Sequence, residues 1–218
     1  MNTKLTMYHS LVASQLNYGI IIWGSKLALN IIGDSKLDLN HIPDNLKCLD
    51  VAQKKIIRAI HCVRLRKKID DNNYIYNSTI PLFKEKKILK LSDIYYFHLG
   101  LFAYDCYYGS VPNIFTNYLL TSDEVQRYTT RCSTRQIHSD MNLLFFKFPN
   151  LKSTCKAVRV AACCLWNMLP LEIRKINYSK NKFKKELHKW LLSNNTDSDS
   201  DSDLDSLYHY EVESDISI

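Results

Sequence analysis

Glycine and proline are scarce in this chain, with five of each among 218 residues. The glycines stand singly, so the sequence has no glycine-rich loop of the kind that binds phosphates. It also lacks the Gly-x-Ser-x-Gly motif of α/β-hydrolases and the His-Glu-x-x-His motif of zinc proteases. The Ser, His and Asp residues are scattered and define no particular triad. These absences favour a chain with no catalytic residues.

Cysteine pairs with metal-binding spacing are also absent. The seven cysteines include no Cys-x-x-Cys pair, and the loose set Cys132, His138 and Cys155 lacks the spacing of a structural zinc site. An odd number of cysteines without disulfide-scaffold spacing is typical of reduced thiols. We therefore expect no metal, no cofactor, and a cytoplasmic or nuclear location.

A long hydrophobic run is missing as well. The charge-free stretch from Leu5 to Ser25 is interrupted by His9, Gln15 and Asn17. Its continuously apolar part, around residues 20–23, is far shorter than the roughly 20 residues that a membrane span needs. No small-residue cleavage pattern follows a basic start and an apolar block. The stretch predicts a buried helix followed by a strand or turn, and no membrane contact.

Charge is distributed unevenly along the chain. All 29 Lys and Arg residues precede residue 191, and 8 of the 22 Asp and Glu residues follow residue 194. The body therefore carries 29 basic against 14 acidic residues, a net +15, and the tail carries −8. A body this basic favours polyanionic partners. The Asp/Ser alternation from Asn195 onward predicts a disordered acidic tail, residues 195–218, after a helical domain of residues 1–194.

A basic helix from Leu46 to Lys68 is the main predicted element. Apolar residues recur at helical spacing (Leu46, Leu49, Ile56, Ile60, Val63), and basic residues fall largely between them (Lys47, Lys54, Lys55, Arg58). The helix would continue into a basic cluster, Arg64, Arg66, Lys67 and Lys68, before an Asp/Asn-rich turn. Such a helix could lie along a phosphate backbone. The alternative is a basic face that is only solvated.

The remaining pattern predicts a mainly α fold, an irregular bundle of about five to seven helices with at most one or two short strands. Surface loops are expected at residues 30–45 and 121–142, the second containing Arg131 and Arg135. The predicted elements are helices over residues 5–16, 85–108 (ended by Gly109) and 154–168, a last helix capped by Ser179, and a short strand over residues 144–148. The last helix should dock through an apolar stripe (Phe183, Leu187, Trp190, Leu191) and keep its lysines outward (Lys180, Lys182, Lys184, Lys185, Lys189).

Short motifs over residues 5–192 carry a family resemblance. They are Asn17, Tyr18, Gly19, Trp23 and Gly24; Gln53, Lys54, Lys55 and Arg58; Ile80, Pro81 and Leu82; Val111, Pro112, Ile114 and Phe115; Tyr128, Thr129, Thr130 and Arg131; Leu165, Trp166, Asn167, Leu169 and Pro170; and Phe183, Lys184 and Leu187. In order and spacing the chain resembles the C-terminal part of a non-LTR (LINE or jockey-like) retrotransposon reverse transcriptase, its thumb and the segment after the polymerase palm.

The resemblance has two departures. Family members tend to have Gly-Pro just before Leu-Trp-Asn, where this chain has Cys163 and Cys164. The family's catalytic Tyr/Phe-x-Asp-Asp is absent, and we expect the palm to lie upstream of Met1. The pair Asp70 and Asp71 is better explained as a solvated turn than as a two-metal site. The resemblance therefore implies a non-catalytic fragment of an RNA-directed DNA polymerase, which would grip a duplex.

Two functions follow as hypotheses. The first is sequence-tolerant binding of an RNA/DNA hybrid or other duplex, through Lys54, Lys55, Arg58, Arg64, Arg66, Lys67, Lys68, Arg131 and Arg135. The second is a decayed or domesticated helical protein-interaction module with no nucleic-acid role and an unknown protein partner. Retained polymerase activity is disfavoured, since two-metal chemistry requires carboxylates. The acidic tail could compete with phosphate for the basic body, or serve only as a solubilising extension.

Overall fold

The computed structural model describes residues 3–24, 44–63, 66–70, 73–76, 78–115, 119–121, 144–145, 158–177 and 179–194. The chain is mainly helical, which confirms the predicted fold class. In chain order the elements are α1 (Thr3–Met7), a π-helical segment (Tyr8–Ala13), α2 (Ser14–Asn17), α3 (Ile20–Trp23), α4 (Asp44–His61), β1 (Arg66–Asp70), β2 (Asn73–Tyr76), α5 (Ile80–Lys86), α6 (Leu91–Tyr107), a 3-10 turn (Asn113–Phe115), β3 (Leu120–Thr121), β4 (Leu144–Phe145), α7 (Val158–Met168), α8 (Leu171–Arg174) and α9 (Lys180–Ser193).

The strands form two small antiparallel pairs. β1 pairs with β2 through a register that joins Arg66 to Tyr76 and Lys68 to Tyr74, and β3 pairs with β4. The structure thus contains more strand segments than the one or two expected, although each is short. β4 lies within the predicted strand over residues 144–148.

Helix α6 is the centre of the main core, because α2, α3, α7 and α9 all pack against it. Of the predicted docking stripe of α9, Phe183, Leu187 and Leu191 are fully buried, and Trp190 is half-buried. Gly100 permits this contact: a Cβ atom there would lie 2.7 Å from Leu187 Cδ2. Ser179 caps α9 by accepting a hydrogen bond from the backbone N–H of Lys182 at 3.3 Å, which confirms the predicted cap.

Motif residues that carry the resemblance are largely structural. Trp166 is fully buried and stacks on Tyr107 with ring centroids 5.1 Å apart. The Asn167 side chain donates to the Leu144 carbonyl at 2.9 Å and accepts from the Leu144 N–H at 3.0 Å. Asn167 therefore ties β4 to α7 in the way that a neighbouring strand would. Gly19 adopts φ 61°, the left-handed conformation expected after the first helix.

A second, smaller core joins the N-terminal helix, by which we mean the continuous helical segment of residues 3–17, to α4 and α5. It contains Tyr8, Ile57, Phe83 and Ile88, all nearly inaccessible to solvent. Gln53 lies beside it, 1% exposed, and its side-chain nitrogen donates to the Tyr8 hydroxyl and to the Leu89 carbonyl, both at 2.9 Å. One buried amide therefore links three parts of the chain.

Two predicted helix boundaries are wrong for the same physical reason. The basic helix ends at His61 rather than continuing to Lys68, because Cys62 adopts φ 56° and the Val63 N–H bonds back to the Arg58 carbonyl at 3.0 Å. The helix predicted over residues 85–108 is instead two helices, α5 and α6, separated at Lys87, which has φ 54°. Both are Schellman-type endings, in which the left-handed residue satisfies the last carbonyls.

Several predictions fall outside the described residues. They concern Arg64, Arg131 and Arg135, nearly all of the two predicted surface loops, and the acidic tail of residues 195–218. The five cysteines that the structure describes, Cys48, Cys62, Cys106, Cys163 and Cys164, form no disulfide with one another.

Candidate nucleic-acid interface

The predicted basic face of α4 is not where the sequence placed it. Lys54 and Arg58 are only 8% and 5% exposed, whereas Leu49, predicted to be buried, is 40% exposed. The interpretation of Lys54 and Arg58 as an outward cationic surface is therefore wrong. The buried stripe of α4 instead runs through Leu46, Asp50, Gln53, Lys54, Ile57 and Arg58.

Lys54 has a structural partner in this stripe. Its ammonium lies 3.0 Å from the Asp50 carboxylate, one helical turn away, and both side chains are about nine-tenths buried. A buried charge requires such a partner, because leaving it alone in a low-dielectric interior costs several kcal/mol. Lys54 therefore contributes to the interior of the fold rather than to a surface for phosphate.

The other predicted basic residues have mixed outcomes. Lys55 is half-buried on α4. Arg66, Lys67 and Lys68 lie in β1, where their backbone pairs with β2. Nucleic-acid contact through these four residues stays a prediction, as it does for Arg64, Arg131 and Arg135.

A different basic surface is formed by the end of α5 and one face of α9. We call it the lysine groove; it has a volume of about 860 Å³. Its lining comprises Lys84, Lys87, Phe97, Asn181, Lys184, Lys185, His188, Lys189 and Leu192. Five of the nine residues are lysines, all exposed, and the described lining contains no Asp or Glu. Such an arrangement concentrates positive potential along a concave surface.

Helical periodicity explains why α9 supplies one wall of the groove. Residues 184, 185, 188, 189 and 192 follow each other at three- and four-residue spacing, next to the buried stripe that docks α9 on α6. The groove lysines are therefore held on a rigid element. The opposite flank of α9 is charge-balanced, because Lys182 and Lys175 line a small cleft with Glu172 and Glu186.

The second wall is fixed at Lys87. This residue ends α5 in the left-handed conformation and lines the groove beside the His188 side chain of α9. Burial lowers the pKa of His188 below its usual 6.5, and the neighbouring Lys87 charge lowers it too, against a raising effect of the Lys87 backbone that is smaller than the effect of burial. His188 is therefore neutral at pH 7, so the positive charge of the groove comes from its lysines.

Phe97 supplies the aromatic part of the groove. It is half-buried on α6, its ring lies edge-to-face with that of His188 at 5.9 Å, and the Lys184 ammonium lies 5.9 Å from its centroid. His98, next along α6, bonds to the Asn17 side-chain oxygen at 2.8 Å. Burial, with a smaller effect of the Lys184 charge, lowers the pKa of His98 as well.

No family model, curated protein or solved structure matches this chain. Within the described ranges, no helix is long and apolar enough to cross a membrane. Across the same part of the chain, no group of three or more His, Cys, Asp or Glu side chains could hold a metal ion. Of the predicted site residues whose side chains the structure describes, Lys54, Lys55 and Arg58, none lines the lysine groove.

Sequence reasoning missed the groove although it predicted that the lysines of α9 face outward. The groove also needs Lys84 and Lys87, about a hundred residues earlier, and their position depends on where α5 ends. The +15 body and the outward lysines of α9 were the signals available, and neither says which lysines of different elements come together.

An apolar cleft lies elsewhere, between the N-terminal helix and α4. It has a volume of about 320 Å³ and is lined by Lys4, Met7, Tyr8, Leu11, Val12, Ile56, Ala59 and Ile60. Met7 and Leu11 on its edge are 54% and 62% exposed. Tyr18 and Ile22, further along the same segment, are more exposed still. Four of the six large apolar side chains that are exposed in the described part of the chain therefore lie within residues 7–22.

Proposed function

We propose that this chain is a non-catalytic, sequence-tolerant nucleic-acid-binding module of the kind that the thumb supplies in a non-LTR retrotransposon RNA-directed DNA polymerase, acting in the cytoplasm or nucleus. The observation that carries the binding proposal is the lysine groove, in which five exposed lysines from two elements surround one concavity without a carboxylate in its described lining. The resemblance supports the polymerase origin, and the +15 body supports a polyanionic partner.

Lysine contacts to phosphate predict weak sequence preference and strong salt dependence. Lysine binds phosphate as a point charge and reads no base edge, so affinity should vary little with sequence. Each phosphate contact releases counterions and adds about 0.7–0.9 to the slope of log K against log salt. If all five groove lysines engage, they contribute a slope of about −3.5 to −4.5.

The test compares two double variants with the same loss of charge. Lys185→Gln with Lys189→Gln removes two groove charges, whereas Lys175→Gln with Lys182→Gln removes two charges from the balanced cleft on the other flank. Binding to labelled oligonucleotides is titrated at several salt concentrations. The groove variant should make the slope of log K against log salt less negative by about 1.5, and the control variant should change it by much less. Equal changes of slope in the two variants would show that affinity depends on the net charge of the protein and not on the groove.

A third variant tests the sites predicted from sequence. Replacing Arg66, Lys67 and Lys68 of β1 by Gln would lower the slope by about 2 or more if β1 also contacts phosphate. An unchanged slope would exclude Arg66, Lys67 and Lys68 from the interface.

The second candidate function is a protein-interaction module, and the apolar cleft is the observation that favours it. Exposed apolar patches often mark contact surfaces. Light scattering over a concentration series distinguishes the two functions: association that Leu11→Gln abolishes would support the second, and a monomer at every concentration would argue against homotypic contact.

A further inference from the structure

The lysine groove contains an aromatic ring that duplex binding would leave unused. Phe97 lies in the groove among lysines of both walls, half-buried rather than enclosed in the core. In a duplex each base is stacked between adjacent bases, so its face cannot contact an aromatic side chain of the protein. A duplex held by the groove lysines would therefore present only phosphate and sugar to Phe97. A single strand, by contrast, can turn a base onto an aromatic ring.

We propose that the lysine groove binds single-stranded nucleic acid, with one base stacked on Phe97 and the flanking phosphates held by the lysines of α5 and α9. This inference rests on the proposed function and narrows its substrate class. Alternating cationic and aromatic contacts are how proteins bind single strands without reading their sequence.

The contacts around the Phe97 ring are consistent with a ring face on which a base can replace the Lys184 ammonium. The Lys184 ammonium lies 5.9 Å from the Phe97 centroid, a distance at which a cation is attracted to the ring. Lysine is flexible, so this ammonium can move to a phosphate when a base takes its place. His188 and His98 both lie at nearly right angles to the Phe97 ring, at 88° and 87°, so neither imidazole stacks parallel to it.

The groove is also preformed. Its walls belong to helices that are anchored in the interior, α5 by Phe83 and α9 by Leu187, both almost completely buried. The groove is therefore built before the ligand arrives.

The experiment measures binding of the full chain to two probes by fluorescence anisotropy. One probe is an oligothymidylate of about 12 nucleotides, within the usual site size of a single-strand binder, and the other is a mixed-sequence duplex of the same length. Wild-type protein should prefer the single strand. Phe97→Leu should weaken single-strand binding by about fivefold to a hundredfold and change duplex binding by less than about twofold.

Phe102→Leu is the matched control, because Phe102 is also a half-buried phenylalanine of α6 but does not line the groove. It should leave both affinities unchanged, and thermal melts establish that each variant is folded. Lys184→Gln should lower the affinity for both probes, because it removes a positive charge that contacts phosphate.

Tighter duplex binding by wild type, or an equal loss for both probes in Phe97→Leu, would overturn the inference. If Phe97→Leu fails to fold, the wild-type preference decides alone. A salt-dependent groove without a single-strand preference would leave the proposed function standing and remove only this inference. If neither probe bound in a salt-dependent way, both the proposed function and this inference would be wrong.

Discussion

Replacing Gln53 by Met tests whether one buried amide holds three parts of the fold together. Gln53 donates to the Tyr8 hydroxyl and the Leu89 carbonyl and is 1% exposed, so the substitution leaves two buried acceptors without this donor. Each lost bond to a buried acceptor costs about 1–3 kcal/mol. Methionine has a similar volume and recovers about 1–2 kcal/mol by burying apolar surface. At the middle of each range the two lost bonds cost about 4 kcal/mol and methionine recovers about 1.5, so the expected net loss is about 2.5 kcal/mol.

Urea unfolding followed by circular dichroism measures this loss. The midpoint should fall while the slope m stays constant, since the surface exposed on unfolding is unchanged. In thermal melts the same loss lowers Tm by about 5–10 °C for a chain of this size. Gln15→Met is the control, because Gln15 is exposed, and it should change stability by less than about 0.5 kcal/mol.

A double-mutant cycle isolates the hydrogen bond itself. Tyr8→Phe removes only the hydroxyl that accepts from Gln53, so the two substitutions should couple by about 0.5–3 kcal/mol. A Gln53→Met cost below about 1 kcal/mol, or additive effects of the two changes, would refute the idea that this amide joins the N-terminal helix to α4.

Three further predictions concern other parts of the chain. Burial lowers the folded-state pKa of both His98 and His188, so unfolding takes up protons below about pH 6.5. The free energy of unfolding, measured by urea titration, should be constant above that pH with respect to these two groups. It should fall as the pH drops from about 6.5 through their lowered folded-state pKa values. Gly100→Ala should cost about 1–2 kcal/mol, because crowding of the buried Leu187 outweighs the better helix propensity of alanine, and thermal melts would show it. Deleting residues 195–218 should tighten oligonucleotide binding at low salt, because eight acidic residues no longer compete with phosphate; unchanged affinity would indicate a solubilising role only.

Helix endings show how far the sequence could predict the fold. α4, α5 and α6 all end in the same hydrogen-bonded motif, with a left-handed residue at Cys62, Lys87 and Gly109 respectively. Only the ending at Gly109 was predicted, because glycine adopts this conformation at no steric cost. At Lys87 the ending follows instead from burial of the next residue, Ile88, in the small core beside Phe83. Such tertiary causes are not visible in local sequence.

The face that α4 buries was mispredicted for a related reason. Apolar spacing alone favoured a stripe through Leu49, but the structure buries Asp50 and Lys54 as an ion pair instead. A pattern of apolar and polar residues cannot distinguish a charge on the surface from a charge that has a buried partner. By contrast α9, whose buried positions are all apolar, was predicted correctly.

The buried pair and the groove together explain why net charge predicted a polyanionic partner but not its site. Lys54 is compensated by Asp50 and has little exposed surface, so it adds almost nothing to the potential that a phosphate meets. The three groove lysines of α9, Lys184, Lys185 and Lys189, share the described groove lining with no carboxylate, and their helix is fixed by its contact with Gly100 and by an apolar stripe. What makes a basic residue available to a ligand is therefore the position of the acidic residues around it, which depends on the fold.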